Sequence, residues 1–172
     1  TPLYSSAASD VYKRQLKYRL SRQCLNELLR YQPARITMHT RSHLILQDLD
    51  LLKAFGDKLR VGVSITTDDE AIREEFEPSA PSFERRLQLV KALREAGVQA
   101  YASVSPLLPC DPERFVSLLK AYVCHAWVDE MNWKEVNNRP YLLEKYKDFF
   151  AEPGYSKLCH QMQKRFNRAF DI

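Results

Sequence analysis

Three short segments carry most of the side chains that could bind a ligand: HTRSH (39–43), SITTDDE (64–70) and SVSPLLPCD (103–111). Their single cation, Arg41, can pair with a carboxylate or a phosphate, because a guanidinium binds such groups through parallel hydrogen bonds. Their hydroxyls can bond sugar oxygens or an amino group, although they can equally cap the helices that follow. The hydroxyl residues are Thr40, Ser42, Ser64, Thr66, Thr67 and Ser105.

Each of these segments follows a predicted strand. Period-2 patterns predict strands at 34–40, 59–65, 98–109 and 124–133, and period-3.6 patterns predict helices at 16–32, 45–55, 82–97 and 112–123. Ser82 and Asp111 are the predicted N-caps of the last two helices. Gly62, inside the second strand, predicts that another group packs close to the backbone there. From Pro140 to Phe170 the sequence predicts two helices, broken near AEPG.

Alternating strands and helices predict an α/β fold with a parallel sheet. The chain contains neither GxGxxG nor a P-loop, which argues against a dinucleotide or nucleoside triphosphate fold. Four βα units make half of an eight-unit barrel, or most of a six-unit partial barrel. Ligands of such barrels bind at the carboxyl ends of the strands, so we expect the three segments to meet there.

The acidic residues between 68 and 77 are predicted to form mostly a solvated helix start, where carboxylates favour the positive end of the helix dipole. Glu77 is the exception, because Pro78 and Pro81 restrict the chain around it. We expect Glu77 to pair with Arg86 and to lock the loop.

Metal chemistry has little support within these residues. The four cysteines are widely spaced and form no CxxC or CxxxCxxC pattern. His39 and His43 span a strand-to-loop junction and need not share a face, and His125 is predicted to be a buried core histidine. No apolar run approaches the roughly 20 residues of a membrane span, and without a secretory signal the cytoplasm is the expected location.

The C-terminal segment mixes aromatic residues with Lys and Arg. This pattern can indicate binding of single-stranded nucleic acid, but inward packing of aromatic residues on amphipathic helices explains it as well and is favoured.

The first fifteen residues lack any helical or strand period and resemble an adapter-derived leader; a natural disordered tail is the alternative. The predicted division is therefore a leader at 1–15, barrel units at 16–135 and a C-terminal helical extension at 136–172. The native chain is expected to begin near Leu16, with its N-terminal part missing.

Four motifs occur in order: TRSHLILQDLDLL, VSITTDD, EPSAPSFERRLQLVKALREAGV and SVSPLLP. Together they closely resemble the spore photoproduct lyase-like (DNA repair photolyase-like) branch of the radical SAM superfamily, over about residues 24–110. The resemblance implies the C-terminal part of a partial (β/α)6 TIM-type barrel. It further implies S-adenosylmethionine and a [4Fe-4S] cluster, which together generate a 5′-deoxyadenosyl radical.

The resemblance also implies roles for individual residues. Arg41 occupies the position of a basic residue that contacts the methionine carboxylate, Ser64 lies beside the same cofactor, and Ser105 lies near the adenine. The expected cofactor-binding set is Thr40, Arg41, Ser42, Ser64, Thr66 and Ser105, and the expected structural clamp is Glu77, Pro78, Pro81 and Arg86. Expected partners are an external electron donor such as flavodoxin or ferredoxin and a substrate for which DNA is a candidate.

Three departures from the family pattern matter. Arg41 replaces a lysine, Gln47 replaces an arginine before Asp48, and the cluster-binding CxxxCxxC is absent. The chain is therefore expected to be a C-terminal fragment that holds no cluster and is inactive by itself, with its catalytic and hydrogen-donor residues unknown. Two alternatives remain: a non-catalytic nucleic-acid-binding or scaffold domain, and a sugar-phosphate barrel enzyme without iron.

Overall fold

Five parallel strands form one sheet in the computed structural model, which describes residues 19–131 and 140–168. The elements, in chain order, are α1 (Leu20–Tyr31), β1 (Ile36–Thr40), a 3-10 helix (His43–Asp48), α2 (Leu49–Ala54), a 3-10 turn (Gly56–Lys58), β2 (Leu59–Ser64), α3 (Glu70–Phe76), α4 (Phe83–Glu95), β3 (Gln99–Val104), α5 (Pro112–Lys120), β4 (His125–Val128), α6 (Pro140–Lys145), α7 (Gly154–Lys164) and β5 (Asn167–Arg168). The leader at 1–15 and residues 132–139, including the end of the predicted fourth strand, lie outside the described residues.

The strands lie in the order β1–β2–β3–β4–β5, and every neighbouring pair is parallel. This arrangement confirms the predicted fold class, an α/β fold consistent with part of a TIM-type barrel. The two-residue strand β5 was not predicted, because two residues are too few to show a period. It pairs with β4, so the C-terminal segment contributes to the same sheet.

The two faces of the sheet differ in chemistry. Val61, Val63 and Ile65 are buried in the core cluster that also contains Leu87 and Val90 of α4. Successive side chains of a strand point to opposite faces. The intervening residues of β2 therefore face away from α4, and they include the small or polar Gly62 and Ser64.

The predicted N-caps of α4 and α5 are confirmed, although α5 ends at Lys120 rather than at Val123. Ser82 accepts a hydrogen bond from the Arg85 amide, and Asp111 accepts from the Glu113 and Arg114 amides. Gly97, just past α4, has a φ of 81°, in the region that favours glycine. Within the described residues, no helix is both long enough and apolar enough to cross a bilayer.

Two local predictions were wrong. Residues 43–48 form a 3-10 helix rather than the first turn of an α-helix, and Ser42 caps it by accepting from the Leu44 amide. His125 is exposed rather than buried. Ala126 and Val128 take the buried face of β4, so alternation places His125 on the opposite face, where the first residue of the strand meets solvent.

Aromatic side chains of the C-terminal segment pack inward, which confirms that interpretation of the sequence. Phe149, Phe150 and Tyr155 contact one another with ring centroids 5.2–5.7 Å apart. The Tyr155 hydroxyl donates to the Leu107 carbonyl at 2.8 Å and accepts from the Met131 amide at 2.9 Å. These bonds tie α7 to the segments that follow β3 and β4.

The predicted close approach at Gly62 is confirmed. Gly62 lies in register between His39 of β1 and Tyr101 of β3. A Cβ atom at Gly62 would lie 2.7 Å from both Cζ and the hydroxyl oxygen of Tyr101. The Tyr101 hydroxyl lies 3.1 Å from Nε2 of His39. Burial raises the pKa of Tyr101 to about 12, so the phenol stays protonated at neutral pH.

We therefore predict that Gly62→Ala destabilises the chain by about 1–3 kcal/mol, because the added methyl displaces a buried ring. Urea unfolding followed by circular dichroism measures the change. Gly154→Ala is the matched control, since a Cβ there would meet no atom within 4 Å. Equal stability of the two variants would contradict the close packing at Gly62.

Candidate functional site

The carboxyl ends of β1, β2 and β3 lie side by side, as predicted. Thr40 pairs in register with Val63, which pairs with Ala102, and Ser64 pairs with Ser103. Backbone hydrogen bonds join the segments beyond the strands: the Leu108 amide donates to the Thr66 carbonyl at 2.9 Å. The three polar segments therefore occupy one edge of the sheet.

Glu77 is the centre of the hydrogen bonds at this edge. Its Oε1 accepts from Nε of Arg41 at 2.9 Å, and its Oε2 accepts from Nη2 of Arg86 at 2.6 Å. The Thr66 hydroxyl also donates to Oε2, at 3.1 Å. The predicted pair with Arg86 is thus present, whereas the contact with Arg41 was not foreseen. The Arg86 side chain is 1% exposed and that of Arg41 is 48% exposed.

Two buried arginines fix the backbone of the Glu77 loop, residues 77–81. Arg86 donates from Nε to the Pro81 carbonyl at 2.8 Å and from Nη1 to the Ser64 carbonyl at 3.0 Å. Arg73 donates to the carbonyls of Glu77 and Ala80, both at 3.0 Å. The loop is therefore attached to the end of β2 on one side and to α3 on the other.

The charges at this site leave a positive surplus. Burial by itself would raise the pKa of Glu77, but the charges of Arg86 and Arg41 outweigh burial, and the pKa lies below its ordinary value of 4.5. Burial lowers the pKa of Arg86, an effect that Glu77 opposes. Two guanidinium charges thus face one carboxylate, and this cluster favours a further anion.

The hydroxyl residues at this edge of the sheet lie in different surroundings. Thr40 and Ser42 bond to each other within one turn, so they serve at least partly as a local cap. Ser64 and Ser103 are both buried residues and lie side by side in register at the ends of β2 and β3. Ser105 is half-buried and lies beyond the end of β3.

Sequence reasoning missed Arg73 and Ser103. Arg73 lies four residues before Glu77, one helical turn away, and this spacing is a signal that could have indicated it. Ser103 is the neighbour of Ser64 in the sheet, and only the register identifies it as such. Pro78 is exposed and occupies the second position of a turn closed by the Ala80 amide and the Glu77 carbonyl at 2.9 Å.

Asp48 follows Gln47, which departs from the family pattern, and it pairs with two arginines. Asp48 is 6% exposed, and its Oδ1 accepts from Arg19 at 3.0 Å and from Arg22 at 3.1 Å. Both arginines belong to or immediately precede α1. The charge of Asp48 is therefore balanced by α1 and by the residue that precedes it.

The described residues offer no ligand set for iron. Within them, no three His, Cys, Asp or Glu side chains converge as a metal site. Burial raises the pKa of both Cys110 and Cys159 to about 12, which disfavours the thiolate that binds iron. A cavity of about 140 Å³ beside the end of β4 is lined by Cys159 and His160 among others, and it does not include Arg41 or Ser64.

The chain belongs to the radical SAM superfamily, whose family model matches residues 6–120. This membership implies S-adenosylmethionine and a [4Fe-4S] cluster. The donor set at the sheet edge fits S-adenosylmethionine, since a half-exposed guanidinium and several hydroxyl residues lie at the same edge. The described residues do not fit the cluster.

Relatives with this similarity are longer than the present chain. An uncharacterized protein of Methanocaldococcus jannaschii is 30% identical over 146 residues, which cover 83% of this chain and 55% of the relative. An uncharacterized protein of Acidianus two-tailed virus is 36% identical over 106 residues, 60% of this chain and 34% of the relative. An uncharacterized protein of Mycobacterium tuberculosis is 29% identical over 76 residues, which cover 43% of this chain and 22% of the relative. No solved structure matches the chain.

Removing the buried guanidinium at position 86 is expected to destabilise the fold strongly. Arg86→Ala leaves Glu77 partly buried without its closest partner, which costs about 3–5 kcal/mol. Urea unfolding measures the loss. Arg85→Ala is the matched control, because Arg85 precedes it on α4 and is exposed. A loss at Arg86 no larger than the loss at Arg85 would show that the buried pair does not hold the loop.

The free energy of unfolding is expected to depend on pH through the ionisation of Glu77. The folded pKa lies below the ordinary value of 4.5, so the unfolded chain takes up the proton first as pH falls. The contribution of Glu77 is complete above that value and is lost as pH falls through the folded pKa. Glu77→Gln removes this part of the acid slope of the unfolding free energy, measured from urea titrations at several pH values. An unchanged slope would contradict the lowered pKa.

Proposed function

We propose that this chain forms the S-adenosylmethionine-binding part of a radical SAM enzyme of the spore photoproduct lyase-like branch. One observation carries the proposal: Arg41, in a cluster with two guanidinium groups and one carboxylate, lies at the same sheet edge as the buried residues Ser64 and Ser103. The superfamily binds S-adenosylmethionine at the carboxyl ends of its barrel strands, and the family match supports the same use of this edge.

The proposed roles follow the chemistry of each group. Arg41 binds the methionine carboxylate, because its guanidinium is half-exposed and positively charged. Ser64 bonds the polar part of the cofactor, and Ser105 lies near the adenine. Thr66 acts indirectly, since it is 1% exposed and its hydroxyl donates to Glu77. Thr40 and Ser42 shape the turn that presents Arg41.

We further propose that the whole protein holds its cluster through cysteines outside this segment. The sequence lacks CxxxCxxC, and the chain covers only 55% of its Methanocaldococcus jannaschii relative. Residues 16–135 would then be barrel units, and residues 136–172 a C-terminal extension that adds β5. The same proposal includes a cytoplasmic location and an external electron donor such as flavodoxin or ferredoxin. It also includes DNA as a substrate and the inactivity of this segment alone.

The binding test uses S-adenosylmethionine labelled with ¹³C at its methyl group and titrated with the 172-residue chain by NMR. We expect saturable binding that Arg41→Ala weakens roughly tenfold or more, because a hydrogen bond to a charged group is lost. Arg114→Ala is the matched control, since Arg114 also pairs with a carboxylate, Asp68, at 2.5 Å. No saturable binding, or equal effects of the two variants, would refute the assigned site.

A second arm addresses the radical chemistry in a protein extended upstream of Leu16. After anaerobic reconstitution with iron and sulfide, and with dithionite as reductant, it should form 5′-deoxyadenosine from S-adenosylmethionine. Iron uptake without this product would favour a non-catalytic domain that retains the fold.

A further inference from the structure

The Glu77 carboxylate divides its two oxygens between a buried group and an exposed one. Oε2 accepts from Arg86 at 2.6 Å and from Thr66 at 3.1 Å, and these two residues are each 1% exposed. Oε1 accepts from Nε of Arg41, whose side chain is 48% exposed. Arg86 and Thr66 hold the carboxylate in place through Oε2, and Oε1 in turn holds the Arg41 guanidinium.

This contact uses only one edge of the Arg41 guanidinium. Nε is bonded to Glu77, and within the described part of the chain Nη1 and Nη2 make no hydrogen bond or ion pair. A guanidinium can bind a carboxylate through its Nη1 and Nη2 pair while Nε is held elsewhere. The structure therefore leaves the outer edge of the fork for a ligand.

The frame behind Glu77 does not depend on a ligand. Arg86 joins Glu77 to the Ser64 carbonyl at 3.0 Å, and Arg73 bonds the Glu77 carbonyl at 3.0 Å. The direction of the Arg41 guanidinium is thus set by α3, α4 and β2 together. Orientation before binding reduces the rotamer entropy that an arginine would otherwise lose on contact with its ligand.

We propose that Glu77 is a positioning residue that orients Arg41 for a carboxylate-bearing ligand and thereby sets the preference of the site for the carboxylate. This inference rests on the proposed function, in which the ligand is S-adenosylmethionine. It assigns Glu77 a role in ligand selectivity in addition to its ion pair with Arg86, which fixes the loop.

A positioning role and a purely electrostatic role of Glu77 predict opposite changes in anion binding when its charge is removed. If Glu77 only neutralised Arg41, removal of its charge would strengthen anion binding, because the cluster would become more positive. If Glu77 orients Arg41, its removal weakens binding. Glutamine offers one acceptor oxygen in place of two. The buried Arg86 retains that oxygen, so in Glu77→Gln the contact to Arg41 is the one lost.

The experiment compares two probes on the full chain: S-adenosylmethionine and its decarboxylated analogue, which keeps the adenosine, the sulfonium and the amine. NMR titrations give both dissociation constants, and their ratio is the carboxylate preference. We expect Glu77→Gln to lower this preference by roughly threefold to tenfold, through weaker binding of S-adenosylmethionine alone. A preference that is unchanged or higher overturns the positioning role.

Variants and controls separate this inference from the proposed function. Arg41→Ala should abolish the preference, and adding Glu77→Gln to it should change nothing further, because Glu77 acts through Arg41. Glu75→Gln is the matched control: Glu75 lies two residues away and pairs with Lys145 at 2.5 Å. A wild-type chain without any preference, or one that Arg41→Ala leaves intact, overturns both the site and the inference.

Circular dichroism establishes whether Glu77→Gln is folded under the titration conditions. If it is not, Glu77→Asp replaces it, since aspartate keeps the charge but is too short to reach both arginines. The same fall in preference is expected, and an unchanged preference in a folded Glu77→Asp variant counts against positioning.

Discussion

The ion pair between Glu77 and Arg86 is the interaction on which the carboxyl edge of the sheet depends. Arg86 is almost completely buried, and it donates to one carboxylate and to the carbonyls of Pro81 and Ser64. A guanidinium withdrawn from water this completely is stable only if its donors are satisfied. The loop between α3 and α4 must therefore keep one conformation, and that conformation delivers Glu77 to Arg41.

This dependence explains why so much polar chemistry lies between one strand and the next helix. Asp69 caps α3, Arg73 holds the loop backbone, and Ser82 caps α4. Asp69 and Ser82 bond backbone amides, and Arg73 bonds backbone carbonyls as well as Glu70, so their roles are structural. The group left for a ligand is small: the outer edge of Arg41 and the hydroxyls of Ser64 and Ser103. The proposed binding of S-adenosylmethionine would use this small group, because the ligand carries both a carboxylate and ribose hydroxyls.

Large parts of the fold were predictable because they depend on local rules. The helix α4 shows a clear apolar stripe, and Ser82 and Gly97 mark its ends by cap chemistry that acts within a few residues. The strand β2 was indicated by its apolar run, and Gly62 by its type alone. Where a local rule was weak, prediction failed: β5 has two residues, and the exposure of His125 depends on which face of β4 the rest of the chain covers.

The sequence by itself determined the order of the elements, most caps, the pairing of Glu77 with Arg86, and the resemblance to a family. Only the tertiary structure decided that Arg41 reaches Glu77 across 36 positions, that Arg19 and Arg22 neutralise Asp48, and that Ser103 is the neighbour of Ser64. The physical reason is range. Caps and periodicity arise from contacts a few residues apart, whereas these three contacts require strands to be in register and helices to be packed before the groups can meet.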